Sequence, residues 1–143
     1  MASQGYGINS DNVAWAPGLY QQLYDLIMST DDTYVKNKLC EFEASYDYEG
    51  QGAEFDDMFA DFCEEYENPT YLWWNTDGVI ADTIDEVAFG GRELFRYDDY
   101  CFYVDSVDAL EAGISVDEID TAIRTYFLPL CANEPRIDWY EIR

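Results

Sequence analysis

The chain has 143 residues, of which 31 are Asp or Glu and only 7 are Lys or Arg, so with no histidine its formal charge is −24. Hydrophobic residues make up 48% and aromatics 17%, which excludes a disordered acidic tail, since disorder needs low hydrophobicity together with high charge. The length suffices for one core without disulfides or a metal, and neither a membrane-length apolar run nor a signal-peptide pattern is present, so a soluble, cytoplasmic chain is expected.

Residues 1–12 are polar and glycine-bearing without periodicity, and are expected to form an extended or mobile lead-in to a single acidic domain over 13–143. Behind Pro17, Leu19, Leu23, Leu26 and Ile27 recur at helical spacing and predict a helix to about Ser29. Asp31 or Asp32 is placed to cap a second helix with the stripe Val35, Leu39 and Phe42, ending before Gly50. Phe55, Phe59, Phe62, Cys63 and Tyr66 give a third helix one apolar face, and Asn68-Pro69 stops it. Tyr71-Leu72-Trp73-Trp74, the turn-like Asn75-Thr76-Asp77-Gly78 and Val79-Ile80 read as a hairpin, or a strand and loop.

After Gly90-Gly91, the β-favouring runs Leu94-Phe95-Arg96 and Tyr100-Cys101-Phe102-Tyr103-Val104 flank an acidic turn and predict two paired strands. Ser106 suits the cap of a short helix ending at Gly113. Ser115 and Glu118 fit a capping box that opens a helix through Ile119, Ala122, Ile123 and Tyr126 to about Leu128. Ile137 to Ile142 alternates and supplies a last strand. Early helices and late strands give the fold class α+β: several helices packed with a small, mainly antiparallel sheet.

The four cysteines, at 40, 63, 101 and 131, are widely spaced among apolar neighbours and are expected as buried, reduced structural thiols. Without histidine or a Cys-x-x-Cys pair, no zinc site is expected. Aligning Asn75 to Gly78 with a calcium loop puts Trp73 and Ile84 at ligand positions, so no calcium site or other metal is expected. The chain lacks a glycine-rich phosphate loop, a nucleophile elbow and a histidine base, so neither enzymatic activity nor a cofactor is expected.

The acids are the informative feature. Solubility needs a net charge of only about 2–8 in a small domain, and like charges on a compact body repel one another. In the third helix Glu54, Asp57, Asp61 and Glu64 or Glu65 recur every three or four residues, so they line one side about 5–6 Å apart. Glu41, Glu43, Asp47 and Glu49 precede them, and Asp98 and Asp99 form a further group. Acids also recur at Asp82, Asp85 and Glu86 and at Asp117, Glu118 and Asp120. These eleven residues on the second helix, the third helix and the 98–99 turn are the candidate partner-binding set.

Fixed carboxylates of this kind can occupy a basic groove in place of phosphates. The expected partner is therefore a nucleic-acid-binding protein or ribonucleoprotein complex with a basic cleft, whereas direct nucleic-acid or membrane binding is not expected. Dimerisation would lengthen the anionic track. Tyr46-Asp47-Tyr48-Glu49 and Tyr97-Asp98-Asp99-Tyr100 interleave aromatics with acids, suiting either interface anchors or core contacts. Two other readings of the charge are an acidic protein-protein adaptor and a halophilic structural domain.

Small acidic chains of this size resemble the DNA-mimic inhibitors that phages and plasmids use against host defence, namely antirestriction and anti-CRISPR proteins. Asp85-Glu86-Val87-Ala88-Phe89-Gly90-Gly91-Arg92-Glu93-Leu94 is similar to the acidic, aromatic, Arg-Asp/Glu-Leu segment of ArdA-type antirestriction proteins, with one extra glycine and at mid-chain rather than near the C-terminus. The resemblance implies a phage inhibitor that works in a bacterial host cell by occupying the nucleic-acid channel of a restriction enzyme or CRISPR effector. It assigns no individual residue a role.

Overall fold

A computed structural model describes residues 3–47, 54–68 and 73–142. They form an α+β fold whose sheet begins with the first described residues. Strand β1 (Ser3–Asn9) lies between β5 (Cys101–Asp105) and β6 (Ile137–Ile142), and β4 (Phe95–Asp98) completes the antiparallel order β4-β5-β1-β6. The register puts Tyr6 opposite Val104 and Trp139, and Ile8 opposite Phe102 and Ile137. Tyr6 and Ile8 thus meet the main core, while Gly5 and Gly7 fall on the other face.

Residues 3–9 are extended, one of the two expected forms of the lead-in, but as an inner strand of the sheet they belong to the domain rather than preceding it, which corrects its expected start at residue 13. The alternation of β1 was hidden because the positions facing away from the core are glycines. A Cβ at Gly5 would strike the Tyr103 ring, and one at Gly7 would strike the Phe102 carbonyl oxygen. The following segment is fastened as well: the Ala16 amide donates to the Leu130 carbonyl at 2.9 Å, and Ala132 to that of Ala14 at 2.6 Å.

Helix α1 (Leu19–Met28) buries Leu19, Leu23 and Ile27, as its spacing predicts. Helix α2 (Tyr34–Ser45) buries Val35 and Leu39, and α3 (Phe55–Glu65) buries Met58, Phe59, Phe62 and Cys63. The short strands β2 (Glu67–Asn68) and β3 (Trp73–Trp74) pair antiparallel. The expected hairpin of Tyr71–Trp74 with Val79-Ile80 is not formed: Trp73-Trp74 pairs backward with Glu67-Asn68, and Val79 and Ile80 are helical, while Tyr71 and Leu72 lie outside the described residues.

Asn75 to Gly78 is not a turn within that hairpin; it opens α4 (Thr76–Phe89). The Asn75 side chain accepts from the Asp77 amide at 2.9 Å and from Gly78 at 3.4 Å, so Asn75 is the N-cap. Every residue from Gly78 to Asp85 is buried, because α4 packs against β4, α1, α2 and α3. A helix enclosed on all sides carries no polar stripe, so the period that reveals α1 and α3 is missing.

The remaining elements follow expectation with small shifts. Asp105, one residue before Ser106, caps α5 (Ser106–Ala112) by accepting from Val107 at 2.9 Å, and Gly113 ends it at φ 71. Ser115 accepts from the Glu118 amide at 3.2 Å to open α6 (Val116–Ala122). The chain then continues as a π-turn over Ile123–Phe127, burying Ile123 and Phe127.

Candidate functional site

Helices α2 and α3 lie side by side, and their aromatic residues set the spacing. The Phe42 and Phe62 ring centroids are 5.8 Å apart, and Phe62 and Tyr66 again 5.8 Å. Two tyrosines tie the layer down through acids of the expected set: Tyr24 donates to Glu43 at 2.9 Å, and Tyr46 to Asp61 at 2.9 Å. Glu43 and Asp61 are accordingly half-buried acceptors that join helices. Tyr46 faces α3, which assigns it to packing.

Glu41, Asp47, Glu54, Asp57, Glu64 and Glu65 remain exposed around this pair of helices. Asp57 also accepts from the Glu54 amide at 3.2 Å, closing the first turn of α3. Glu49 and Tyr48 lie outside the described residues. Three ion pairs form among the described residues: Arg96 with Asp108, Arg124 with Asp120 and Arg136 with Asp138. None involves α2 or α3.

Between the two helices runs a groove of about 420 Å³. Phe42, Phe62 and Tyr66 line its apolar side, while Glu41, Glu65 and Glu67 supply carboxylates. Tyr34 and Lys38 stand at the same groove, with the Lys38 Nζ 5.7 Å from the centroid of the Tyr34 ring. Tyr34 donates to the Glu67 carbonyl at 2.8 Å and so bridges the N-terminus of α2 to β2. Glu67 belongs to the groove although its sequence position, one residue past the last apolar residue of the stripe, gave no periodic signal.

Asp98 and Asp99 sit elsewhere, on the β4–β5 turn. Asp99 and Tyr100 adopt φ values of 48 and 62, and the Tyr100 carbonyl accepts from Ser10 at 2.7 Å. Burial, with the charges of Asp99 and Asp11, raises the Cys101 thiol, and burial, with those of Asp77 and Asp11, raises the Tyr97 hydroxyl. This turn therefore has its own acidic surroundings, to which Asp11 and Asp77 contribute unexpectedly. Tyr97 packs 4.7 Å from Phe102, whereas Tyr100 is 65% exposed.

No protein-family model, curated protein or solved structure matches this chain. The chemistry of its acids must then be read from their surroundings alone, and these divide them sharply.

Asp82 and Asp85, expected at the surface, are folded into the interior on the enclosed stretch of α4, and Glu86, just past it, is half-buried. Asp82 accepts from the Tyr66 hydroxyl, and from Asn68 at 2.8 Å. Burial and the adjacent Asp82 charge push the Tyr66 hydroxyl far above its ordinary value. Asp85 accepts from the amides of Glu93, Leu94 and Phe95 at 2.9, 2.8 and 2.9 Å, fixing the chain after Gly90. Burial raises its carboxyl, and those three donors pull the other way. The segment Asp85 to Leu94 thus has a structural job in joining α4 to β4.

Glu86 accepts from the Val35 amide at 3.3 Å. It takes the place expected of Asp31 or Asp32 at the start of α2, since α2 begins after Thr33, whose side chain makes no cap bond to its own helix. Burial pushes the Glu86 carboxyl up to about 7. The thiols differ too: Cys63 and Cys101 are buried and Cys131 half-buried, but Cys40 is exposed on the outer side of α2, contrary to the expectation of four buried thiols. Burial raises Cys63 to about 12 and Cys131 to about 11, which leaves both poor nucleophiles. Among the described residues no group of three or more Cys, Asp or Glu side chains is arranged to hold a metal ion, and no helix is long and apolar enough to cross a membrane.

Proposed function

We propose that this chain is a DNA-mimic inhibitor that occupies the basic nucleic-acid-binding cleft of a host defence complex, a CRISPR effector or a restriction enzyme, and blocks DNA binding. The observation that carries the reading is the exposed acid array of α2 and α3, which takes part in none of the ion pairs among the described residues. Phosphates of a nucleic-acid strand are likewise single fixed anions at short regular spacing, and a protein that grips them does so with Lys and Arg. A carboxylate array offers the same cations a comparable partner, while the long-range field of the chain speeds encounter.

The test is displacement of DNA. Against purified CRISPR effector complexes and restriction enzymes, the chain should compete with a labelled target duplex, and competition should weaken steeply as salt rises. Reversal of Glu41, Glu64 and Glu65 to lysine should abolish it; these three residues are exposed, so the fold should tolerate the change, and Glu54 and Asp57 are kept because they cap the first turn of α3. Asp61 is left in place because it holds Tyr46. Competition that survives the reversal, or that ignores salt, would defeat the proposal.

A further inference from the structure

We propose that the α2–α3 groove is a receptor for an arginine side chain of the partner protein, so that the chain captures one cation in a pocket besides presenting anions to many. The inference rests on the DNA-mimic reading for the nature of the partner, and on the groove for the mode of capture. Its volume of about 420 Å³ lies at the lower end of the range for small-ligand sites. Its accessible aromatic side is the half-buried Phe42 and the exposed Tyr34 ring, over a floor of buried Phe62 and Tyr66, and Glu41, Glu65 and Glu67 bring three acids against the single ammonium of Lys38.

An apolar wall with acids beside it suits a side chain that is a flat cation on an aliphatic stem. A guanidinium can stack on an aromatic face and at the same time donate two parallel hydrogen bonds to a carboxylate. A lysine ammonium lacks the plane and the fork. Beside this wall the chain already sets a cation on an aromatic ring, since Lys38 lies over Tyr34, one turn earlier on α2, and forms no ion pair among the described residues. An incoming arginine would add to an existing cation-on-aromatic arrangement, with the glutamates offsetting the charge of both.

The experiment titrates the whole chain with a blocked tri-arginine peptide, with tri-lysine as comparison, by calorimetry and amide chemical-shift mapping at about 0.15 M salt, where distant charges are screened. Tri-arginine should bind, with the largest shifts at Tyr34, Phe42 and Tyr66. The triple variant Glu41→Gln, Glu65→Gln, Glu67→Gln should weaken binding about tenfold or more. Glu111→Gln, Asp117→Asn, Glu134→Gln makes the same change in net charge at exposed positions away from the groove and should weaken it by less than about twofold.

Equal losses in the two variants would overturn the inference, because attraction would then follow total charge. Tri-lysine binding as tightly as tri-arginine would also overturn it. Neither result bears on whether the chain displaces DNA from a defence complex, so failure of the groove and failure of the mimic reading are separately visible. All six positions are exposed acids, and neutralising them lowers repulsion, so both variants should fold.

Discussion

Glu86 shows how one side chain can be both a fastener and a burden. Its carboxylate accepts from the Val35 amide and so ties α4 to the first turn of α2, yet burial lifts it from the ordinary 4.5 to about 7. Between those values the folded chain holds a proton that the unfolded chain has released, so stability must fall as pH rises through this window and level off above it. Glu86→Gln keeps an oxygen for the Val35 amide and removes the charge. Urea midpoints measured from pH 4.5 to 7.5 should therefore decline less steeply in Glu86→Gln than in the parent, and the variant should be the more stable near pH 7. Every other group titrates in both proteins, so the difference between the two curves is the diagnostic quantity. Parallel curves would remove Glu86 from the account.

Among the elements, legibility followed amphipathicity. α1, α3 and α6 each keep one face in water, and their apolar periods predicted them well, as did the β-favouring run of β5 and the alternation of β6. α4 and β1 have no such contrast: one is enclosed over Gly78 to Asp85, and the other replaces its second face with glycines. The acids on α2 and α3 were readable because they alternate with that apolar face; the interior positions of Asp82 and Asp85 and the half-buried one of Glu86 were not, since nothing in the local spacing tells a carboxylate that is solvated from one that holds a neighbouring donor. The Glu67 edge of the groove depends on β2 folding back beside α2, a contact between distant segments. β1 gives the sharpest prediction at this scale. A methyl at Gly7 would meet the Phe102 carbonyl oxygen, backbone that cannot turn aside, whereas one at Gly5 meets the Tyr103 ring and, at 2.9 Å, its Cβ, a side chain that must shift to admit it. Gly7→Ala should cost more than about 3 kcal/mol in chemical denaturation, and Gly5→Ala clearly less. Equal costs would mean that β1 and β5 are not held at this close approach.

For the whole molecule the question is what a charge of −24 does to a fold whose core is otherwise complete. The sheet and helices enclose one large apolar cluster in which Phe59, Phe95, Phe102 and Phe127 are almost entirely sequestered. Such a core supplies folding energy independent of salt, while the acids oppose it with a repulsion that salt screens, over a Debye length of about 10 Å at 0.1 M and 3 Å at 1 M. Two uses of the charge then separate. If the acids serve hydration in a halophile, the fold needs molar salt. If they serve a basic partner, the fold stands without it, and salt acts in opposite directions on folding and on binding. The expected outcome is cooperative unfolding already at about 0.02 M sodium chloride, a Tm that climbs over the first few tenths molar and then flattens, and an affinity for the partner that falls over the same interval. A chain that is unfolded at low salt and ordered only near molar concentrations would move the acids from recognition to hydration. Opposed slopes for Tm and affinity, measured on the same preparation, would tie the repulsion within the chain to the attraction it exerts on a cationic cleft.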